Sequence, residues 1–332
     1  MNPLFFALLR SGLWEQPLTD SEFAAVATLG EAEWAALVEI ARKQTVSGLL
    51  YRAIMHLPAD FRIPGDFVLD LMAIAGGLAR ENQAKADVTD QIIAECAAAG
   101  LHPVVMKGQS VAAFYAYPEL RYSGDIDLFF HPEEYPRALT LLGGEVAPDG
   151  TRHIRRAGID IDIHDRYFDL HCSDSKLPAV GTPEATILLL SSHILKHAIG
   201  PGVGLRQCCD LAVAWQALAS SIKPKVMQEI FRLTRTLRWN RLLFSFLAEY
   251  LGLPETLFTD DRVSSEPLRR IILEGGNFGH FAEARTSALL ADERKRKRNT
   301  FSRFLHRLPF SLRYAPRETV ATIWGLIRGN LN

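Results

Sequence analysis

Residues 159–164 read Ile-Asp-Ile-Asp-Ile-His, an alternation that a helix cannot use and an extended strand can. Ile159, Ile161 and Ile163 fall on one face of such a strand, and Asp160, Asp162 and His164 on the other. Upstream, Asp125-Ile126-Asp127 opens into the apolar run Leu128-Phe129-Phe130, a second strand with acids at its mouth. Everything on either side reads as helix. The chain is therefore constrained to an α+β fold, with a small mixed β-sheet in its middle and helical regions before and after it.

The flanks support this division. Trp34, Leu37, Val38, Ile40 and Ala41 recur at helical spacing, and Leu49 and Leu50 continue the apolar pattern. "LPADFRIPGD" (57–66) is a connector with two prolines and a glycine. Residues 67–99 are Ala-rich and helical, and Gly100 fits a helix C-cap. "VVM" before Lys107-Gly108 is a short strand, "QSVAAFYAY" a helix, "PELRYSG" a turn and "HPEEYPRALTLLGG" a helix opened by Pro132 and two acids. From Pro183 onward the chain is helical again, through "PEATILLLSSHILKHAIG", "LRQCCDLAVAWQAL", "KVMQEIFRLTRTLRWNRLLFSFLAEYLG" and a basic tail. The expected parts are residues 1–65 (helical), 66–180 (sheet-bearing core) and 181–332 (helical).

At 332 residues with 48% apolar and 23% charged side chains, an ample core is available. A net charge of −1 excludes a global field that would draw the chain to nucleic acid or membrane, so any basic patch is local. Cys96, Cys172, Cys208 and Cys209 contain no Cys-x-x-Cys pair and read as reduced thiols of a cytoplasmic protein. The amino terminus does not have the form of a signal peptide, and no apolar run is long enough to span a bilayer.

Two carboxylates at i and i+2 of a strand point the same way, roughly 6.5–7 Å apart along the chain. Asp125 and Asp127 then share one spot, and their repulsion is relieved by a cation or a proton. Mg²⁺, or Mn²⁺ in its place, is held by one or two carboxylates plus substrate phosphates. A third acid on a neighbouring strand, Asp160 or Asp162, would complete a site for in-line phosphoryl or nucleotidyl transfer. Lys107 and Gly108, followed by a helix start at Gln109-Ser110, supply a cation, a close backbone approach and free N–H donors for phosphate. Arg121 is placed to pair with the acids or with phosphate. Each element has a bland reading: a wet strand edge for the acids, a buried hydrogen-bonded residue for His164, an Arg206–Asp210 ion pair at i+4. The order strand, Lys-Gly, helix, Asp-x-Asp, helix, Asp-x-Asp-x-His favours the site over those readings.

The stretch "MKGQSVAAFYAYPELRYSGDIDLFF" resembles the polymerase-β-like nucleotidyltransferase superfamily. Within it, the chain is most similar to the bacterial group of uncharacterised nucleotidyltransferases. Lys107, Gly108, Arg121, Gly124, Asp125 and Asp127 match that group's Lys-Gly and Arg-x-x-Gly-Asp-x-Asp block. Asp162-Ile163-His164 resembles its later acid-x-His, and His193, His197, Arg206 and Asp210 resemble positions of its helical region. The wider superfamily carries Gly-Ser or Gly-Gly where this chain has Gly108-Gln109, and its gap from that glycine to the first aspartate is shorter. Lys107 or Ser110 would then share the phosphate grip.

The resemblance implies a nucleotidyltransferase core at 66–180 and transfer of a nucleoside monophosphate from an NTP, ATP by default, with release of pyrophosphate. Asp125, Asp127 and Asp162 would bind metal, and His164 would orient a carboxylate or act as base. Lys107, Gly108, Gln109, Ser110, Arg121, Gly124, Lys196 and His197 would line the nucleotide. The acceptor class stays open among small molecule, sugar, RNA and protein. Two other readings compete. A glycosyltransferase also uses Asp-x-Asp, but needs several βα units before it, where residues 1–99 are helical. A non-catalytic nucleotide-binding or antitoxin-like protein could keep the same fold. The basic segment 294–313, with Phe301, Phe304, Leu305 and Leu308 interleaved, reads as a solvated face, with contact to anionic membrane or nucleic acid as the other uses.

Overall fold

The structure is a computed structural model that describes residues 3–146, 152–200, 202–254, 257–258, 263–275 and 293–327. Five helices lead in: α1 (Pro3–Trp14), α2 (Asp20–Val26), α3 (Glu31–Lys43), α4 (Ser47–Met55) and α5 (Phe67–Ala98). Thr19 and Glu22 start α2 with a reciprocal capping box. At the end of α5, Gly100 takes φ +65°. Its N–H donates to Ala97 O at 3.0 Å and that of Leu101 to Cys96 O at 2.9 Å, so the expected glycine cap is a full Schellman motif.

The chain then enters the sheet. Strand β1 (Val104–Met106) is followed by α6 (Gly108–Ala112), β2 (Ile126–Phe129), α7 (Tyr135–Leu142), β3 (Glu145–Val146), β4 (Arg152–Arg156) and β5 (Ile159–His164). The spatial order is β1-β2-β5-β4-β3. β2 and β5 run parallel, and the other neighbours are antiparallel. The fold is thus α+β, as the alternating stretches require.

Three local expectations are revised. The helix expected through Tyr117 ends at Ala112, because Phe114 and Tyr115 close tight turns onto Val111 O and Ala112 O. The helix expected from Pro132 starts at Tyr135, after a turn closed onto His131 O. Strands β3 and β4 were not expected, since "RHIRR" lacks apolar alternation. A two-residue turn, Ala157 (φ +49°) and Gly158 (φ +80°), folds β4 back onto β5.

Each face of the sheet has its own cover. Ile126 and Leu128 of β2, with Ile161 and Ile163 of β5, pack against Val88, Ile92 and Cys96 of α5 and Ala138 and Leu142 of α7. The opposite face meets α8 (Pro183–Ile199) through Met106, Phe129, Tyr167, Ala185 and Leu189. The acids alternate with the isoleucines, so they open toward the α8 side.

The remaining helices are α9 (Leu205–Leu218), α10 (Pro224–Leu233), α11 (Leu237–Leu251), α12 (Glu266–Gly275), α13 (Glu293–Tyr314) and α14 (Pro316–Ile327). With α1–α4 they form the large apolar core around Trp34, Trp239 and Phe246. The stretch 225–252 divides between α10 and α11 at Arg235, which takes φ +61°. The basic segment 294–313 falls within α13, and its side chains before Phe304 lie outside the described residues. Among the described helices none is long and apolar enough to cross a membrane. All four cysteines are free thiols.

Candidate active site

Parallel pairing sets Asp127 of β2 beside Asp162 of β5 on one rung. Asp127, Asp162 and His164 each offer a ligand atom, all within 4.8 Å of one another. Two carboxylates and an imidazole form a donor set that suits a divalent cation. Asp125 stands just ahead of β2, exposed and outside this close group. Asp160 shares the parity of Asp162 but lies 65% exposed, paired with Arg155 at 3.4 Å.

The two facing carboxylates differ in proton affinity. Burial works to raise the Asp127 pKa, but Lys107, a hydrogen bond from His164 and the field of His193 outweigh it, so Asp127 is held below the usual carboxylate range. His164 Nε2 lies 2.8 Å from Asp127 Oδ1, and Lys107 Nζ lies 3.5 Å from it. Burial pushes Asp162 up to about 6, helped by Asp125 and Asp127 and opposed by its His153 partner. His153 lies directly across from Asp162 on β4.

Lys107 reaches Asp127 at a backbone cost. Its φ of +47° and ψ of −139° belong to a region that glycine occupies readily and lysine does not. Gly108 follows at φ +28°. A lysine held there is retained for its side chain. Burial would lower its pKa, yet Asp127, Asp169 and Asp125 raise it, so its charge is secure.

The other residues expected at the phosphate are placed differently. Gln109 accepts a hydrogen bond from Thr89 Oγ1 at 2.9 Å, tying its side chain to α5. Ser110 Oγ donates to Lys107 O at 2.7 Å. Gly124 is exposed. Arg121 is buried, and its Nε and Nη2 each donate to an Asp210 oxygen at 2.7 Å. The structure therefore corrects the expected i+4 pairing: Asp210 takes Arg121, together with the Tyr115 hydroxyl at 2.8 Å, and not Arg206. That pairing anchors the turn 118–124 that delivers Asp125 and Asp127. Lys85 of α5 fixes the same turn through Ser123 O at 2.5 Å. The Ser123 hydroxyl itself is buried without a partner and lies toward Gly108.

A second layer comes from α8. Asp169, in the segment after β5, lies 3.0 Å from Lys196 Nζ and 3.5 Å from His193 Nδ1. Burial works against its charge, yet His193, Lys196 and Lys107 hold it well below the usual range. His193 and His197 face each other, Nε2 to Nε2, at 3.1 Å. Burial and neighbouring positive charge push both histidines down, so both are neutral at pH 7. Lys196 is exposed, while His197 is buried.

His153, Asp169 and Ser123 were missed in the sequence. Strand β4 carries no periodicity that would announce His153, and Asp169 sits in a segment without a pattern. Ser123 lies within the Arg-x-x-Gly-Asp block, so its place beside Gly124 was the available signal.

A family model described as uncharacterised nucleotidyltransferase matches residues 30–252. The chain belongs to that family. Its family name carries nucleotidyl transfer as the general activity. No curated protein and no solved structure matches the chain. The stretch that the nucleotidyltransferase family model matches holds every site residue described above and stops before α12. The helices beyond it still bear on the site. Glu318 of α14 accepts from His171 N at 3.2 Å and pairs with its Nδ1 at 2.6 Å, two residues past Asp169. Arg307 of α13 donates to Gly200 O at 2.9 Å, at the end of the helix that carries His193 and His197.

Proposed function

We propose that this protein is a divalent-metal-dependent nucleotidyltransferase that moves a nucleoside monophosphate from an NTP to an acceptor and releases pyrophosphate. The observation that carries the reading is the Asp127–Asp162 rung with His164 beside it. Asp127 and Asp162 would hold Mg²⁺ or Mn²⁺, with Asp125 at the strand mouth added when phosphate is present. A bound divalent cation supplies Lewis-acid polarisation of the phosphate and charge neutralisation at the leaving pyrophosphate.

The protein's own groups do the rest. Lys107, charged and fixed by its backbone, supplies a cation at the phosphate side of Asp127. The Ser123 hydroxyl and the Gly108 backbone offer donors close by. Asp162 would complete the cation site and so help lower the pKa of an acceptor hydroxyl. His153 on the other side of Asp162 orients that carboxylate. His164 holds Asp127 in place through Nε2. Asp169, His193, Lys196 and His197 wall the α8 side, where the nucleotide would lie. In this reading the protein works in the cytoplasm.

The test is transfer of α-phosphate label from each of the four NTPs, with Mg²⁺ or Mn²⁺, into cell extract fractionated into protein, RNA and small molecules. Label in one fraction, lost with Asp127→Asn, supports the reading and identifies the acceptor class. NTP binding without transfer into any fraction overturns it in favour of a nucleotide-binding protein.

A further inference from the structure

Asp210 accepts the Nε–Nη2 edge of Arg121 side-on, with both bonds at 2.7 Å. One turn before Asp210 on α9, Arg206 carries the same edge with no such partner. Arg206 is 9% exposed, and its Nε is buried without any hydrogen bond. Its Nη1 donates to Tyr122 O at 3.1 Å, and its Cζ lies 5.7 Å from the centre of the Tyr122 ring. No hydrogen bond or ion pair among the described residues engages its Nη2.

Arg206 lines a small solvent-open crevice of about 10 Å³, room for one water-sized group such as a single anion oxygen, together with Thr45, Val46, Leu49, Leu120 and Tyr122. Arg121 and Arg206 both line it, and Asp210, hydrogen-bonded to Arg121 and Tyr115, gives Arg206 no hydrogen bond. Asp210 and Asp125 reach Arg206 through their fields only, and its Nε has no hydrogen-bonded partner. A buried guanidinium edge without a hydrogen-bonded partner costs stability, a cost that a bound anion would offset. Thr45 at the rim adds backbone strain, with φ +54° for a β-branched residue. A side-on guanidinium edge fits the two oxygens of a carboxylate or phosphate.

We propose that Arg206, between Thr45 and Tyr122, is an anion subsite that binds a phosphate or carboxylate group apart from the Asp127–Asp162 rung. The site stands on its own geometry, and only its assignment to a substrate rests on the transfer reading. The anion is carried either by the second substrate or by the nucleotide's own phosphates. Arg206 hydrogen-bonds Tyr122 O in the turn 118–124 that delivers Asp125 and Asp127, which ties the subsite to the segment bearing the acids.

Inorganic phosphate is the probe, titrated calorimetrically into the full chain without metal or nucleotide. The native chain binds phosphate in the millimolar range or tighter, and its melting temperature rises with phosphate. Arg206→Lys, which keeps the charge and loses the fork, and Arg206→Gln weaken binding by about tenfold or more, equivalent to ~1.4 kcal/mol. Asp127→Asn keeps it, because the rung is not part of the subsite. A Mg²⁺-bound non-hydrolysable NTP analogue separates the sources. Competition with phosphate assigns the subsite to the nucleotide, and simultaneous binding assigns it to the second substrate. Absence of phosphate binding by the native chain, or equal binding by both Arg206 variants, overturns the proposal and leaves the transfer reading intact.

Discussion

Asp127 and Asp162 share one rung of the parallel pair β2–β5, yet their proton affinities are driven in opposite directions. Lys107 and His164 overcome burial at Asp127 and keep it ionised, whereas burial and the fields of Asp125 and Asp127 push Asp162 up to about 6. One carboxylate is a constant anion and the other is poised to exchange a proton.

This asymmetry has a pH signature in the metal-free chain. Below pH 4 Asp162 is protonated in folded and unfolded states alike, and its stabilising contribution is complete. As pH rises from about 4 to 6 the unfolded chain ionises this group while the folded chain keeps it protonated, so stability falls, levelling off above 6. Asp162→Asn abolishes that loss and gains up to ~3 kcal/mol relative to the native chain at pH 8. Urea denaturation at pH 4 and pH 8 in chelator checks this. A variant no more stable than native at pH 8 contradicts the raised pKa.

Lys107 separates backbone from side chain. At φ +47° a Cβ is unfavourable whatever it carries. Lys107→Gly is therefore more stable than Lys107→Ala by roughly 1 kcal/mol, although both lose the charge. Both variants raise the Asp127 pKa, measurable by carboxyl NMR. Equal stability of the two variants contradicts the strained conformation.

Arg121 and Asp210 act as a unit. Removing either leaves the other buried and charged, at about 3–5 kcal/mol for Arg121→Ala or Asp210→Ala. The double variant costs less than the sum, because neither member of the pair is left without the other. Denaturation of the three variants gives the coupling, and strict additivity would refute a direct pair.

Beyond the stretch the family model matches, Glu318 pins the segment that carries Asp169. Glu318→Ala removes the acceptor for His171 N and Nδ1. Hydrogen exchange in residues 165–177 should then rise, by an opening free energy lower by about 1–3 kcal/mol. Unchanged exchange there would mean that α14 does not hold this segment.

Much of the site could be read from the sequence because the strands announce themselves. The period-two pattern of Ile159–His164 fixes which side chains share a face, and the same parity puts Asp125 and Asp127 together at β2. Parity alone left Asp160 and Asp162 equivalent. The strand register separates them, and register depends on tertiary pairing that one strand does not carry. His153 was invisible for the same reason: it reaches the site through β4, of whose residues only Ile154 is buried. Arg121 was expected at the phosphate because it precedes the acids. Its partner Asp210 lies 89 residues away in sequence, and only the packing of α9 against the 118–124 turn brings them together.

The central claim is that the Asp127–Asp162 rung is a divalent-cation site that works with a nucleotide. Mn²⁺ binding followed by electron paramagnetic resonance, with and without a non-hydrolysable NTP analogue, tests it most directly. The account predicts one or two bound Mn²⁺ per chain in the presence of the analogue. It also predicts their loss in both Asp127→Asn and Asp162→Asn. Binding that is absent from the native chain, or unchanged in both variants, would contradict it.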